Sequence, residues 1–236
     1  ARQAADVVLT NDSFATLVEA VREGRRLFDN LRKAVAFYLA VKVALVLSSA
    51  LAAAIGQPLP FSPVQIIVLE LFMDLGAALA FVAQPADRDV LTRPPRDPRS
   101  RLLDRDLIFA ILAGGLTLAV VVFGAYQFAA ARFDLMEART FALVAWFVGH
   151  VALGLATAER RSGLRDLAQN PVLLIWAAAA VLFAAALVLV PPLRTALGTA
   201  PIPLGQAAIC AGLAAIVPLW LLALPMGRAS HPRTLT

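Results

Sequence analysis

The 236-residue chain holds one cysteine, Cys210, and two histidines. That scarcity excludes an internal disulfide framework and any cysteine-based metal site. Charge is sparse as well, at 16% of residues, where a soluble domain carries about 25%. Hydrophobic residues reach 60% and mean hydropathy is +0.77, so a soluble globular domain is excluded and an integral membrane protein remains. No glycine-rich phosphate loop is present, and the nearest candidate, "AGGLT" at 113–117, lies within an apolar run. The polar start "ARQAADVVLTNDSF" lacks both a starting Met and the layout of a signal peptide. The chain is therefore expected to begin inside a longer reading frame.

What is present is a series of long apolar runs. A hydrocarbon core about 30 Å thick needs about 20 such residues per helix. Six spans fit, at 34–56, 62–83, 107–130, 140–158, 171–191 and 204–226, joined by short segments rich in Pro and Gly. An all-α membrane protein follows, with both termini on one side. Arginine settles which side. Arg2, Arg22, Arg25, Arg26, Arg32 and Lys33 precede the first span, and Arg88, Arg93, Arg96, Arg99, Arg101 and Arg105 lie between the second and third. Arg160, Arg161 and Arg165 follow the fourth, and Arg228 and Arg233 lie in the tail at 227–236. The alternate loops hold only Arg132, Arg139 and Arg194. By the positive-inside rule both termini are cytoplasmic. The net charge of +5 thus reflects topology, and a nucleic-acid partner loses its main support. A multi-pass protein of a bacterial plasma membrane is expected, with the lipid bilayer as its first partner.

Residues 1–33 differ in kind. After a cap candidate at Asp12 or Ser13, apolar residues recur at Phe14, Leu17, Val18, Val21, Leu27, Phe28 and Leu31, close to a helical period. This pattern predicts an amphipathic cytoplasmic stalk helix that continues into the first span. Its apolar face needs a partner that the chain does not contain.

Four ionisable residues fall inside the spans: Lys42, Glu70, Asp74 and His150. Each costs about 2.5–3.5 kcal/mol at a helix centre and is a functional candidate by default. At about 1.5 Å per residue, Lys42, Asp74 and His150 lie about 12–13 Å from the cytoplasmic ends of their helices, with Glu70 one turn further out. Glu70 and Asp74 share a helix face. Two adjacent carboxylates repel, so either one holds a proton or a cation sits between them. Carboxylate oxygen suits Ca²⁺, Mg²⁺, Na⁺ or a proton. Lys42 can neutralise Asp74, as a structural ion pair or as part of the site. His150 is read as a hydrogen-bonded packing histidine or as a ligand or proton relay. Gln65, Ser48 and Ser49 are read as helix-packing groups.

The opening "AADVVLTNDSFATLVEAVREGRRLFDNLRKAVAFYL" resembles the end of the phosphorylation domain and the stalk of cation-transporting P-type ATPases. "PVQIIVLELFMD" resembles their sixth membrane segment, and "DRDVLTRPPRDPRSRLL" the loop after it. The matches occur in order over residues 1–103, and the remaining four spans complete segments seven to ten. By this resemblance Asp74 falls on the family's sixth-segment aspartate, an ion ligand, and Glu70 on an asparagine ligand of calcium pumps of the sarcoplasmic-reticulum type. Lys42 falls on their fifth-segment asparagine, Leu45 on a glutamate, and His150 near the eighth-segment glutamate. A lysine at this place is similar to the built-in basic residue of proton- and potassium-transporting relatives.

The resemblance implies the C-terminal, ion-binding part of an ATP-driven cation pump. Calcium is favoured, and H⁺, K⁺ or Na⁺ and Mg²⁺ stay open. The family's "DKTG", "TGE" and "GDGxND" motifs are missing from this chain, so it is not expected to bind or hydrolyse ATP alone. ATP and Mg²⁺ would belong to the absent actuator, nucleotide-binding and phosphorylation domains, which are the implied partners together with the N-terminal membrane helices. The alternative reading is a secondary cation carrier or a non-catalytic membrane scaffold, neither of which needs the stalk or the "RPPRDPR" loop.

Overall fold

The computed structural model describes residues 13–95, 102–159 and 169–223. Among these, six helices are long and apolar enough to cross a membrane. The first, α1 (Phe14–Ala54), is a single helix of 41 residues, about 60 Å long at 1.5 Å per residue. That is twice the hydrocarbon thickness, so stalk and first span form one rigid rod. Ser13 precedes its first turn, while Asp12 and the tail at 227–236 lie outside the described residues. The stalk's Phe14, Val18 and Leu31 stay exposed, leaving its apolar face uncovered by the described residues.

Helix α2 (Pro63–Val82) starts on a capping box. Gln65 N–H donates to Ser62 Oγ, while Ser62 N–H donates to Gln65 Oε1 at 2.9 Å. Pro63 follows at the first helical position, where its missing N–H costs nothing. Helices α3 (Arg105–Ala130) and α4 (Leu135–Glu159) form the next antiparallel pair. Asp104 caps α3 by accepting from Leu107 N–H at 2.8 Å. Helix α5 (Pro171–Leu189) is capped by Asn170, whose Oδ1 accepts from Leu173 N–H at 3.0 Å. A short helix α6 (Pro191–Leu197) then ends at Gly198, in the left-handed region at φ 60°. Helix α7 (Leu204–Ile216) continues as a 3-10 turn, Val217–Ala223.

Helix α4 is the centre of the bundle. Its most apolar stretch is 89% buried, against 50% or less for the others. Aromatic pairs fill the space around it, Phe61 against Trp146 and Phe133 against Phe141 among them. Small residues set the close α1–α3 crossing, where a side chain at Gly115 would meet the Ala40 carbonyl at 2.7 Å. Side-chain amides and hydroxyls then stitch neighbouring helices through backbone carbonyls. Gln65 donates to Leu197, Asn170 to Ala80 and Gln84 to Ala158, at 2.9, 2.8 and 2.9 Å. In hydrocarbon such groups have no water to turn to, so each bond has to be made within the protein.

Two departures from the expected spans have local causes. The expected span at 204–226 changes to 3-10 geometry at Val217 because Pro218 has no N–H to donate to the preceding turn. The "VPP" at 190–192, expected only as a boundary, starts α6, since proline is well suited to a first helical turn.

Candidate functional site: a mid-membrane charge cluster

The expected α-helix through "LELFMD" is a π-helix at Leu69–Asp74, inside α2. Its wider ring shifts the backbone hydrogen bonds by one residue, a distortion frequent at functional sites. Glu70 lies in its first turn and Asp74 closes it. Opposite stands Lys42 of α1. Its ammonium donates to Glu70 Oε1 and, at 2.5 Å, to Asp74 Oδ2. Lys42 therefore bridges both carboxylates, where neutralisation of Asp74 alone was expected. The ammonium also lies 4.7 Å from the centroid of the Tyr38 ring.

His150 of α4 completes the group from behind. Its Nε2 is 3.6 Å from Asp74 Oδ1, beyond hydrogen-bond range, and among the described residues neither ring nitrogen finds a hydrogen-bond partner. The reading as a hydrogen-bonded packing histidine is thus corrected. The imidazole is fully buried and packed edge-on to Phe37 at 4.8 Å, with Trp146 and Trp176 at 5.8 and 5.9 Å. Aromatic rings fill the places where polar partners would stand.

Exposure grades across the cluster. The side chains of Asp74, Lys42 and Glu70 are 7, 24 and 37% exposed. Asp74 is the inner carboxylate and Glu70 the outer one, beside the uncovered Ile67, Leu71 and Val46. With both carboxylates ionised and His150 neutral, one ammonium against two carboxylates leaves a net charge of −1. The cluster has room for one more positive charge. Among the described residues, no group of three or more His, Cys, Asp or Glu is placed to hold a metal ion. A bound cation would need backbone carbonyls or ligands from outside the chain to complete its shell.

Sequence reasoning passed over Trp176 of α5. Its Nε1 donates to the Met73 carbonyl, inside the π-helix, at 3.1 Å. Two glycines make room for the ring. A side chain at Gly76 would meet Trp176 Cδ1 at 2.6 Å, and one at Gly154 would meet Cη2 at 3.0 Å. The indole is therefore wedged between α2 and α4, and it satisfies a carbonyl where the helix leaves its regular pattern.

A family model described as "Cation transporting ATPase, C-terminus" matches residues 58–226, which hold the whole of α2 and the π-helix. The chain belongs to the cation-transporting ATPase C-terminal family. It is 30% identical over 94% of its length to the calcium-transporting ATPase of Bacillus subtilis, covering 25% of that protein. It is 32% identical over 87% of its length to the probable cation-transporting ATPase F of Mycobacterium bovis, covering 23%. Human calcium-transporting ATPase type 2C member 1 is 31% identical over 50% of the chain and 13% of its own length. The chain thus spans about a quarter of the length of its first relatives. As a multi-pass membrane member of this cation-transporting ATPase family, it carries its four membrane ionisable groups on α1, α2 and α4.

Proposed function

We propose that the chain supplies the ion-binding membrane part of an ATP-driven cation pump of the calcium type, with Glu70 and Asp74 as the cation-binding carboxylates. The bridging of both carboxylates by Lys42 is the observation that carries this reading. Two like charges one turn apart have little structural use, and a structural pair with one lysine needs only one of them. Calcium in the names of several relatives supports the choice of ion.

Charge balance gives the mechanism its direction. With Lys42 in place the carboxylates lack one positive charge, which a proton or a monovalent ion supplies. A divalent ion brings two, and it fits the carboxylates once Lys42 withdraws. Lys42 and the cation then alternate at one site, so the empty pump never holds two bare carboxylates in a low-dielectric layer. His150 stands behind Asp74, with Nε2 at 3.6 Å from Oδ1, as the second basic side chain of the site.

Coupling to ATP runs along α1. Its unbroken helix carries Lys42 in its membrane half and the exposed stalk face in the other. Phosphorylation in the absent cytoplasmic domains, docked on that face, would tilt the rod and move Lys42 relative to α2. The arginine-rich side bearing the stalk and the 84–104 loop faces the cytoplasm. ATP and Mg²⁺ bind only in those other domains.

The test is calcium-dependent phosphorylation from ATP in the complete pump. Asp74→Asn abolishes it. Glu70→Gln raises the calcium concentration for half-maximal phosphorylation by about tenfold, as losing about 1.4 kcal/mol of binding requires. Unchanged values in both variants would remove the carboxylates from the site.

A further inference from the structure

A second feature lies away from the charge cluster. Helices α3 and α7 both pack on α4 and leave between them a crevice of about 340 Å³. Its walls are Gly124 and Phe128 of α3 and Cys210 and Leu213 of α7, and Phe141 of α4 forms part of its lining. An apolar cavity of about 150 Å³ stays dry and takes up a benzene-sized guest. This one is more than twice that size and sits among lipid-facing helices, where its guest is hydrocarbon rather than water.

Two polar features mark one end of it. Gln206, in the first turn of α7, lines the crevice, and its buried Oε1 has no hydrogen-bond partner among the described residues. Arg132, just past the end of α3, holds its guanidinium 4.1 Å from the centroid of the Phe128 ring, a crevice wall. It donates to the Phe128 carbonyl at 2.9 Å, and the residue is exposed. A cation and an unsatisfied amide thus stand at the membrane boundary above a hydrocarbon-lined slot. We propose that this crevice binds one anionic glycerophospholipid from the leaflet on the Arg132 side, with an acyl chain along Gly124 and Leu213, the phosphate on Arg132, and the glycerol backbone at the Gln206 end of the slot. The same complementarity of one cation and one apolar slot fits no transported ion and leaves the charge cluster untouched.

The structure also provides a clean way to close the slot. A Cβ at Gly124 would meet nothing within 4 Å, so a side chain can start there, and Gly124→Leu projects into the crevice and removes a helix-interior glycine. The polypeptide in the full length its gene encodes is placed in nanodiscs containing phosphatidylglycerol with a photoreactive group in its acyl chain. After illumination, labelled peptides are mapped. Labelling concentrates on the peptides around 120–128 and 206–217 in the wild type. In Gly124→Leu it falls there to the level of the remaining lipid-facing surface, with the thermal midpoint unchanged or raised. Arg132→Gln loses the preference for phosphatidylglycerol over a phosphatidylcholine probe of the same chain. Uniform labelling of the wild type, or equal labelling in wild type and Gly124→Leu, would overturn the site. Equal labelling by the two lipids in the wild type would overturn the anionic headgroup. A polypeptide recovered in the slot in place of lipid would overturn both.

Discussion

Along the single rod of α1, ionic groups are arranged in two ways. In the stalk, Arg93 of the following loop reaches Asp29 at 2.7 Å, Asp89 at 3.2 Å and Asp87 at 3.8 Å. Lys33 adds Asp87 at 3.0 Å and Arg32 adds Asp104 at 2.6 Å. Arg25 donates to the carbonyls of Val90 and Arg93, each at 2.8 Å, and Asn30 to that of Gln84 at 2.7 Å. Every group there has neighbours of similar kind. A few turns on, Lys42 alone faces Glu70 and Asp74. The stalk clasp is redundant and borders water, while the membrane cluster has a single cation in a medium that screens little. Redundancy tolerates loss and suits a fixed joint. A lone cation between two anions is sensitive to every change, which suits a site that must change occupant.

The largest effect should follow from Lys42→Met. It leaves two facing carboxylates without their cation and destabilises the protein by about 3–5 kcal/mol, the range for a broken buried pair. Asp74→Asn leaves Lys42 paired with Glu70 and should cost about 1 kcal/mol, the scale of one hydrogen bond. Thermal unfolding in nanodiscs, compared between the two variants, reads the asymmetry. Calcium sharpens it, since a bound ion adds about 2.7 kcal/mol at a hundredfold excess over its Kd. Lys42→Met should regain much of its lost stability in calcium, and Asp74→Asn should not. Equal destabilisation of both, with no calcium effect, would reduce the cluster to a structural ion pair.

Next in size is the wedge that shapes the π-helix. Gly76→Ala places a methyl 2.6 Å from Trp176 Cδ1 and should cost about 2 kcal/mol as overpacking. Trp176→Leu gives way to that methyl but loses the bond to the Met73 carbonyl. The double variant should therefore be more stable than the sum of the two single losses implies, the sign of coupling between neighbours. Additive losses would mean that ring and glycine act separately.

Hydropathy made the six apolar helices legible in the sequence, and helical period the stalk that runs into the first of them, because a slab of about 30 Å imposes a length rule on any chain. The ionisable residues were legible for the same reason, since charge in hydrocarbon stands out. Other features had no such signal. The π-helix reflects a shift of backbone hydrogen bonds that "LELFMD" does not encode by composition. Trp176 reads as one more apolar residue, and its partner Met73 lies 103 positions away. Gly76 and Gly154 take their meaning only from the ring between them. Nor could depth along separate helices reveal that His150 would face aromatic rings on several sides.

In the stalk the expected effects shrink. Arg93→Ala removes the clasp's hub, yet its partners Asp87 and Asp29 stay near Lys33 and the loop. Burial works against the Arg93 charge, but the Asp29 hydrogen bond and the nearby Asp29, Asp89 and Asp87 charges outweigh it and hold its pKa above the usual value. A loss of about 1 kcal/mol that declines with added salt is expected from a part-buried ion-pair network that borders water and in which Asp87 keeps Lys33. A salt-independent loss as large as that of Lys42→Met would erase the contrast between clasp and cluster.

The smallest effect belongs to Glu23, which forks onto Arg26 at 2.5 Å one turn away on the same helix. The hydrogen bond from Arg26, with a smaller contribution from the charges of Arg26 and Arg22, holds the Glu23 carboxyl below its usual pKa. A carboxyl whose pKa is lower in the folded state stabilises above its unfolded value, about 4.3, and the contribution is lost as pH falls through the folded value. Glu23→Gln should therefore match the wild type in acid and fall only slightly below it near neutral pH. Arg26 keeps its bond to the Gln84 carbonyl at 2.9 Å in either case, so the clasp stays closed. Thermal midpoints of the two proteins, taken at about pH 2, below both values, and about pH 7, decide the point. A large gap at neutral pH would show that a single exposed pair carries the stalk joint, and redundancy would no longer distinguish it from the site around Lys42.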